Sequence, residues 1–210
     1  MSKITEVAEL VEKGKAKLVG AAVQGALDEG CDATEILSSM IDAMAVVGEK
    51  FKNGEIFVPE MLVAARAMKK GVEVLKPHLA TGATGSMGKL IIATVAGDLH
   101  DIGKNLVAMM IESAGFEVID LGVDVPAAKI IECYKENPDV KVIALSALLT
   151  TTMPSLKDTV AAINAEDFRG KVKVMVGGAP ITDAFAKEIG ADGYSEDAAS
   201  AAVLAKALVA

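Results

Sequence analysis

Leu90-Ile91-Ile92-Ala93-Thr94-Val95 is followed by Asp98-Leu99-His100-Asp101-Ile102-Gly103, and then by the helix-like stretch Lys104 to Ser113. An apolar run, a polar turn and a helical pattern in succession read as one strand–turn–helix unit of an open α/β sheet. In such sheets ligands bind at the carboxyl ends of the strands, which is where the hexapeptide falls. The chain has only two histidines, and His100 stands two residues after the Asp98 carboxylate. At that spacing an imidazole can present one ring nitrogen to a metal while the other donates to the carboxylate. This fixes the tautomer and raises ligand basicity.

The same alternation runs on to the C-terminus. Strand-like runs are expected at Lys89–Val95, Phe116–Leu121, Val140–Ser146, Lys171–Val176 and Asp192–Tyr194, with helix-like runs at 103–114, 126–136, 153–165, 181–189 and 196–208. The strands are unbroken aliphatic runs, as expected of a parallel sheet covered on both faces. Five βα units predict a doubly wound, five-stranded parallel sheet of Rossmann-like or flavodoxin-like type.

Before residue 82 the period is helical. Apolar residues recur at Ile4, Val7, Ala8, Val11; at Leu18, Ala21, Ala22, Ala26; at Ile36, Met40, Met44, Val47, Phe51; and at Met61, Ala64, Ala65, Met68, Val72, Leu75. Breaks fall at Gly14, at Gly30-Cys31-Asp32 and at Lys52-Asn53-Gly54, Pro59 suits a first helical turn, and Pro77 helps to end the last helix. Four short-looped helices predict a small antiparallel bundle. The methionines at helical spacing read as core filler. The expected domains are therefore a helical domain at 1–82, a linker at 83–88 within the glycine-rich stretch Thr81–Gly88, and an α/β domain at 89–210.

Bulk properties exclude several classes. Net charge is −8 with no cluster of Lys or Arg, which argues against binding nucleic acid or anionic membranes. Cys31 and Cys133 are too few for a disulfide framework or a zinc cage. No signal core and no long apolar segment is visible, so a cytoplasmic protein is expected. Gly97–Lys104 has five residues between its glycines, and Asn105 follows the lysine, so it fails as a phosphate loop.

Three signals stand on predicted strand ends: the hexapeptide, Ser146-Ala147-Leu148-Leu149-Thr150-Thr151-Thr152, and Gly177-Gly178. Residues 104–145, 42 in number, separate the first two, and residues 149–176, 28 in number, separate Leu148 from Gly177. This pattern resembles the cobalamin-binding domain family, whose signature is Asp-x-His-x-x-Gly, about forty residues, Ser-x-Leu, a little under thirty residues, and Gly-Gly. The stretches Val47–Phe51, Phe57–Met61 and Ala64–Met68 look like the helical cap of methionine synthase and of small corrinoid methyl carriers. Within the family, the chain looks most like the stand-alone corrinoid proteins of methylamine, methanol, betaine or aryl-ether methyltransferase systems.

The resemblance implies roles for particular residues. His100 would replace the corrinoid's own base as lower axial ligand of cobalt (base-off, His-on). Asp98 would hold its other ring nitrogen, and Thr152 would extend the relay. Here a threonine stands where the family places serine, and Thr151 is an alternative partner. Ser146 and Thr150 would bond the displaced nucleotide tail, while Gly103, Gly177 and Gly178 would line its slot. Asp101 and Leu148 belong to the same motifs. Phe51 and Val58 match positions that cover the methyl-bearing face. Implied partners are a substrate:corrinoid methyltransferase, an acceptor methyltransferase using a thiol or tetrahydropterin, and a reductive activase, with no nucleic acid or membrane. The chain would not be a complete enzyme by itself.

Plainer readings exist for each feature taken alone. His100 could cap a helix, Asp98 and Asp101 could do the same, the threonine run could be a polar turn, and Gly177-Gly178 a simple turn. His78 reads as a solvated helix end. At the level of function, the alternatives are a corrinoid sensor or storage protein, the small subunit of a cobalamin-dependent mutase, or a doubly wound domain with another ligand such as a flavin.

Overall fold

Residues 2–79 and 87–210 are described by a computed structural model. They form two compact units, one helical and one α/β that begins at Met87. Most of the expected 83–88 linker lies outside the described residues.

The helical unit consists of α1 (Lys3–Glu12), α2 (Ala16–Asp28), α3 (Ala33–Lys52) and α4 (Val58–Leu75). Their starts follow from local chemistry, since side-chain oxygens satisfy N–H groups that a helix leaves unpaired. The Ser2 hydroxyl accepts from the Thr5 N–H at 3.2 Å. The Asp32 carboxylate accepts from the N–H groups of Thr34 and Glu35 at 2.8 and 3.2 Å. In α4, Pro59 occupies the first turn, and the Glu60 carboxylate reaches back to the Phe57 N–H at 3.1 Å. The apolar stripes meet in a core of Val7, Val11, Val19, Val23, Ile36, Met40, Met44, Val47, Met61, Met68 and Leu75, all buried. Met40 and Met44 are thus core residues.

The α/β unit runs β1 (Gly88–Thr94), α5 (Ile102–Ser113), β2 (Phe116–Asp120), α6 (Ala127–Glu136), β3 (Val140–Ser146), α7 (Met153–Asn164), β4 (Lys173–Gly177), α8 (Asp183–Ile189), β5 (Gly193–Ser195) and α9 (Ala198–Val209). All strand pairs are parallel, in the order β2-β1-β3-β4-β5. Both faces of the strands are covered. Ile91, Ala93, Ile143, Leu145, Val174 and Val176 pack with Ile130, Tyr134, Leu156, Val160 and Ile163. The alternate residues Leu90, Ile92, Val142, Ala144 and Met175 are buried as well. This two-sided burial is why the strands carry no polar alternation.

Most bounds lie within one residue of the sequence expectation, and three starts shift by two, each for a local reason. The strand expected from Lys171 starts at Lys173, because the Lys171 N–H closes a tight turn on the Phe168 carbonyl at 2.8 Å. The helix expected from Ile181 starts at Asp183, where the Thr182 hydroxyl accepts from the Phe185 N–H at 3.2 Å. The helix expected from Glu196 starts at Ala198, where the Asp197 carboxylate accepts from the Ser200 N–H at 2.8 Å.

The order 2-1-3-4-5 reverses direction between β1 and β3, which opens a crevice at their carboxyl ends. Register lines up what lies there: Thr94 is paired with Ser146, Ser146 with Gly177, and Gly177 with Ser195. The loops carrying the three sequence signals therefore leave the sheet at one level.

Candidate functional site

Beyond Thr94 the chain extends by one bridge, Val95 to Val125, and turns at Gly97. The turn is pinned by Asp124 on the neighbouring loop. The Gly97 N–H donates to the Asp124 carboxylate at 2.7 Å, and the Asp124 N–H donates to the Asp98 carbonyl at 2.9 Å. Asp124 holds this position at φ +53°, a left-handed conformation that Asp tolerates better than most residues.

The turn points the Asp98 carboxylate inward, where its residue is fully buried. One oxygen, Oδ1, accepts from the His100 N–H at 3.1 Å and from His100 Nδ1 at 2.7 Å. The other, Oδ2, accepts from the Leu148 N–H at 2.7 Å, from the Thr152 hydroxyl at 2.7 Å and more weakly from the Leu149 N–H at 3.4 Å. Burial by itself would raise the Asp98 pKa. The donors from Leu148, Thr152 and His100 outweigh it and hold the carboxyl well below the usual range.

An ionised carboxylate can only accept, so the proton of the neutral imidazole sits on Nδ1 and the lone pair on Nε2. Nε2 has no hydrogen-bond partner among the described residues, and the His100 side chain is 48% exposed. The loops around it expose Leu99, Ile102, Leu148 and Leu149, with Ile102 at 83%. Four large apolar side chains left in water on the two loops that carry one basic nitrogen suit an apolar ligand that also meets that nitrogen. No group of three or more His, Cys, Asp or Glu able to hold a metal occurs among the described residues.

The other sequence-predicted residues fall as follows. Thr152 is buried and donates to Asp98, whereas Thr151 is exposed. Leu148 contributes its backbone N–H as well as its side chain. Ser146 is half-buried at the end of β3, and its Oγ lies 2.9 Å from Thr94 Oγ1. Thr150 is exposed in a 3-10 turn at Thr150–Thr152, and no hydrogen bond joins it to this network among the described residues. Asp101 organises the start of α5: its carbonyl accepts from the Asn105 N–H at 2.7 Å, and its carboxylate from the Asn105 side chain at 3.1 Å. Phe51, half-buried, and Val58, exposed, belong to the helical unit, which also exposes Phe57, Leu62 and Val63.

The glycines differ from one another. Gly178 has φ +127°, and a Cβ there would lie 1.9 Å from the Ala147 carbonyl oxygen. Only glycine lets the loops after β3 and β4 approach so closely. Gly103 is exposed, and a Cβ there would meet nothing within 4 Å, so its missing side chain leaves open space.

Sequence reasoning passed over two residues of this network, Thr94 and Asp124. Thr94 is a single hydroxyl at the end of an aliphatic strand, and that interruption of the apolar run was a usable signal. Asp124 gave none, because its partners are backbone atoms 26 and 27 residues away in the chain.

Comparison with known proteins places this geometry in a family. Two models, both described as B12 binding domain, match residues 88–203 and 4–76. The chain is 46% identical over 210 residues to dimethylamine corrinoid protein 1 of Methanosarcina acetivorans, covering 99% of this chain and 97% of that one. Among solved structures, a cobalamin-binding protein from Desulfitobacterium hafniense superposes with a TM-score of 0.84 at 32% identity, covering 99% of this chain and 98% of its own. The methanol:cobalamin methyltransferase complex of Methanosarcina barkeri includes a chain that superposes at 0.82 with 30% identity, covering 99% and 79%.

Proposed function

The chain belongs to the corrinoid proteins of methyltransferase systems, built from B12 binding domains, and from that premise we propose that it carries a methyl group between a substrate-specific methyltransferase and an acceptor methyltransferase. Its cofactor is a corrinoid, whose cobalt supplies the chemistry by taking up and releasing the methyl group. The chain's own residues bind it, direct its lower ligand and exclude water.

The observation that carries the reading is the Nε2 of His100, unpaired among the described residues, on a ring held by an ionised, buried Asp98 and rimmed by apolar side chains. In this reading His100 would hold the corrinoid's cobalt through Nε2, in place of the corrinoid's own base. Asp98 keeps the ring in the required tautomer and raises the basicity of Nε2. Thr152 and the Leu148 N–H keep Asp98 ionised and fixed. Ser146 and Thr150 take polar groups of the displaced tail, along a slot lined by Gly103, Gly177 and Gly178 and flanked by Asp101. Phe51 and Val58 are the residues the family resemblance names for apolar cover of a bound corrinoid, cover that would keep water from a reactive metal.

The similarity to a dimethylamine corrinoid protein supports a methylated amine as the methyl source. A substrate:corrinoid methyltransferase is the donor-side partner in this reading, as in the methanol complex of the structural neighbour. The acceptor side is a methyltransferase using a thiol or tetrahydropterin, with a reductive activase to restore oxidised cobalt.

The test is reconstitution with hydroxocobalamin under anoxic conditions, followed by gel filtration. The expected result is retained pigment whose spectrum shows the corrinoid's base displaced, with His100→Ala retaining corrinoid but losing nitrogen ligation. Colourless wild-type protein, or a ligation spectrum unchanged in His100→Ala, overturns the reading.

A further inference from the structure

His100 is held at more points than its ring. Asp98 Oδ1 takes both its N–H and its Nδ1. These bonds fix the turn of the imidazole but leave the peptide on its far side to other restraints. That peptide is caught by Thr94, whose hydroxyl donates to the His100 carbonyl at 3.0 Å. Thr94 is the last residue of β1, is fully buried and is paired in register with Ser146. Its hydroxyl therefore moves only with the central strands.

Counting protons decides how this hydroxyl is used. Thr94 has one, and the His100 carbonyl can only accept. The 2.9 Å contact with Ser146 Oγ must then be a bond that Ser146 donates and Thr94 accepts. If a bound ligand draws the Ser146 proton away, Thr94 still keeps its bond to His100.

We propose that Thr94 is a positioning residue for the metal ligand: its hydroxyl anchors the His100 carbonyl to the rigid end of β1 and so sets where Nε2 stands above the sheet edge. This rests on His100 being the cobalt ligand, and it assigns a separate task to a residue that is itself fully buried. Asp98 sets the ring's tautomer and rotation, and Thr94 sets its placement. Replacing the hydroxyl with a methyl group takes the Thr94 donor from the His100 carbonyl, which lets the 98–103 loop shift toward water.

The variants are Thr94→Val, of nearly equal volume, and Thr94→Ser, which keeps the hydroxyl. The probe is cobinamide, which has no base of its own, reduced to its paramagnetic cobalt(II) form on the protein. A nitrogen superhyperfine pattern in its electron paramagnetic resonance spectrum can then come only from the protein. Wild type and Thr94→Ser are expected to show that pattern. Thr94→Val is expected to lose most of it and to bind cobinamide on the order of tenfold more weakly, while its circular dichroism remains that of a folded protein. Should Thr94→Val not fold, Thr94→Ala is the variant read in its place. A folded Thr94→Val or Thr94→Ala with the wild-type pattern and affinity overturns the inference. A wild-type protein without the pattern overturns the ligation reading itself, and this one with it.

Discussion

Asp98→Asn keeps the shape of the side chain and removes its charge, and the surroundings make that exchange severe. The wild-type carboxylate meets only donors: His100 N–H and Nδ1 at one oxygen, and Leu148 N–H and the Thr152 hydroxyl at the other. A carboxamide offers one oxygen and one NH2 group. If its oxygen faces Leu148 and Thr152, the NH2 confronts the His100 N–H and forces Nδ1 to accept, which moves the ring proton onto Nε2. If it faces the other way, the Leu148 N–H and the Thr152 hydroxyl lose their acceptor. Either orientation strands buried donors and gives up charge-assisted bonds, a loss of about 3 kcal/mol. In a unit of this size that lowers the melting temperature by about 10 °C. The first orientation also removes the lone pair that would hold a metal. The pH dependence has a definite sign. The folded-state pKa of Asp98 lies below the ordinary aspartate value of 3.8, so its stabilisation is complete above that value and fades as pH falls toward the folded pKa. The gap between wild type and Asp98→Asn is therefore widest near neutrality and narrows below about pH 4. Thermal melts of both proteins from pH 7 to pH 3 measure it. A variant that melts with the wild type at pH 7, or a gap that widens in acid, refutes the reasoning.

Thr152→Val removes the hydroxyl donor to Asp98, with an expected loss of about 1–2 kcal/mol, whereas Thr151→Val, at an exposed neighbour, stays within about 0.5 kcal/mol of wild type; denaturant melts of the two decide which hydroxyl matters. Gly178→Ala drives a Cβ against the Ala147 carbonyl oxygen at a positive φ and is expected to lower stability by 3 kcal/mol or more, roughly. Gly103→Ala meets no neighbour, so its melting temperature is expected to stay close to wild type while hydroxocobalamin uptake in gel filtration falls. Unimpaired uptake would take Gly103 out of the slot.

Much of the fold was legible because its determinants are local or periodic. Aliphatic runs such as Val142–Leu145, bounded by turns and rich in β-branched residues, read as strands covered on both sides, and the helical period of Ile36, Met40, Met44 and Val47 buries one stripe. Starts at Lys173, Asp183 and Ala198 were missed by two residues each, since a 3-10 turn, a hydroxyl cap and a carboxylate cap settled them rather than any apolar pattern.

The site divides along the same line. Sequence alone supplied the His–Asp pair, the Ser-x-Leu and Gly-Gly signals and their spacing, because the ring, its carboxylate and the turn between them lie within three residues. It left Thr151 and Thr152 open and passed over Thr94 and Asp124. Those choices depend on which atoms face each other across 50 or more residues of chain, as Thr152 faces Asp98 and Thr94 faces Ser146, or across neighbouring loops, as Asp124 faces Gly97. Parallel register made them: pairing Thr94 with Ser146 and Ser146 with Gly177 set the loops at one height, and the first 3-10 turn after β3 carried Thr152 inward and Thr151 out. A chain encodes which groups it owns. Only packing in three dimensions decides which of them share a proton.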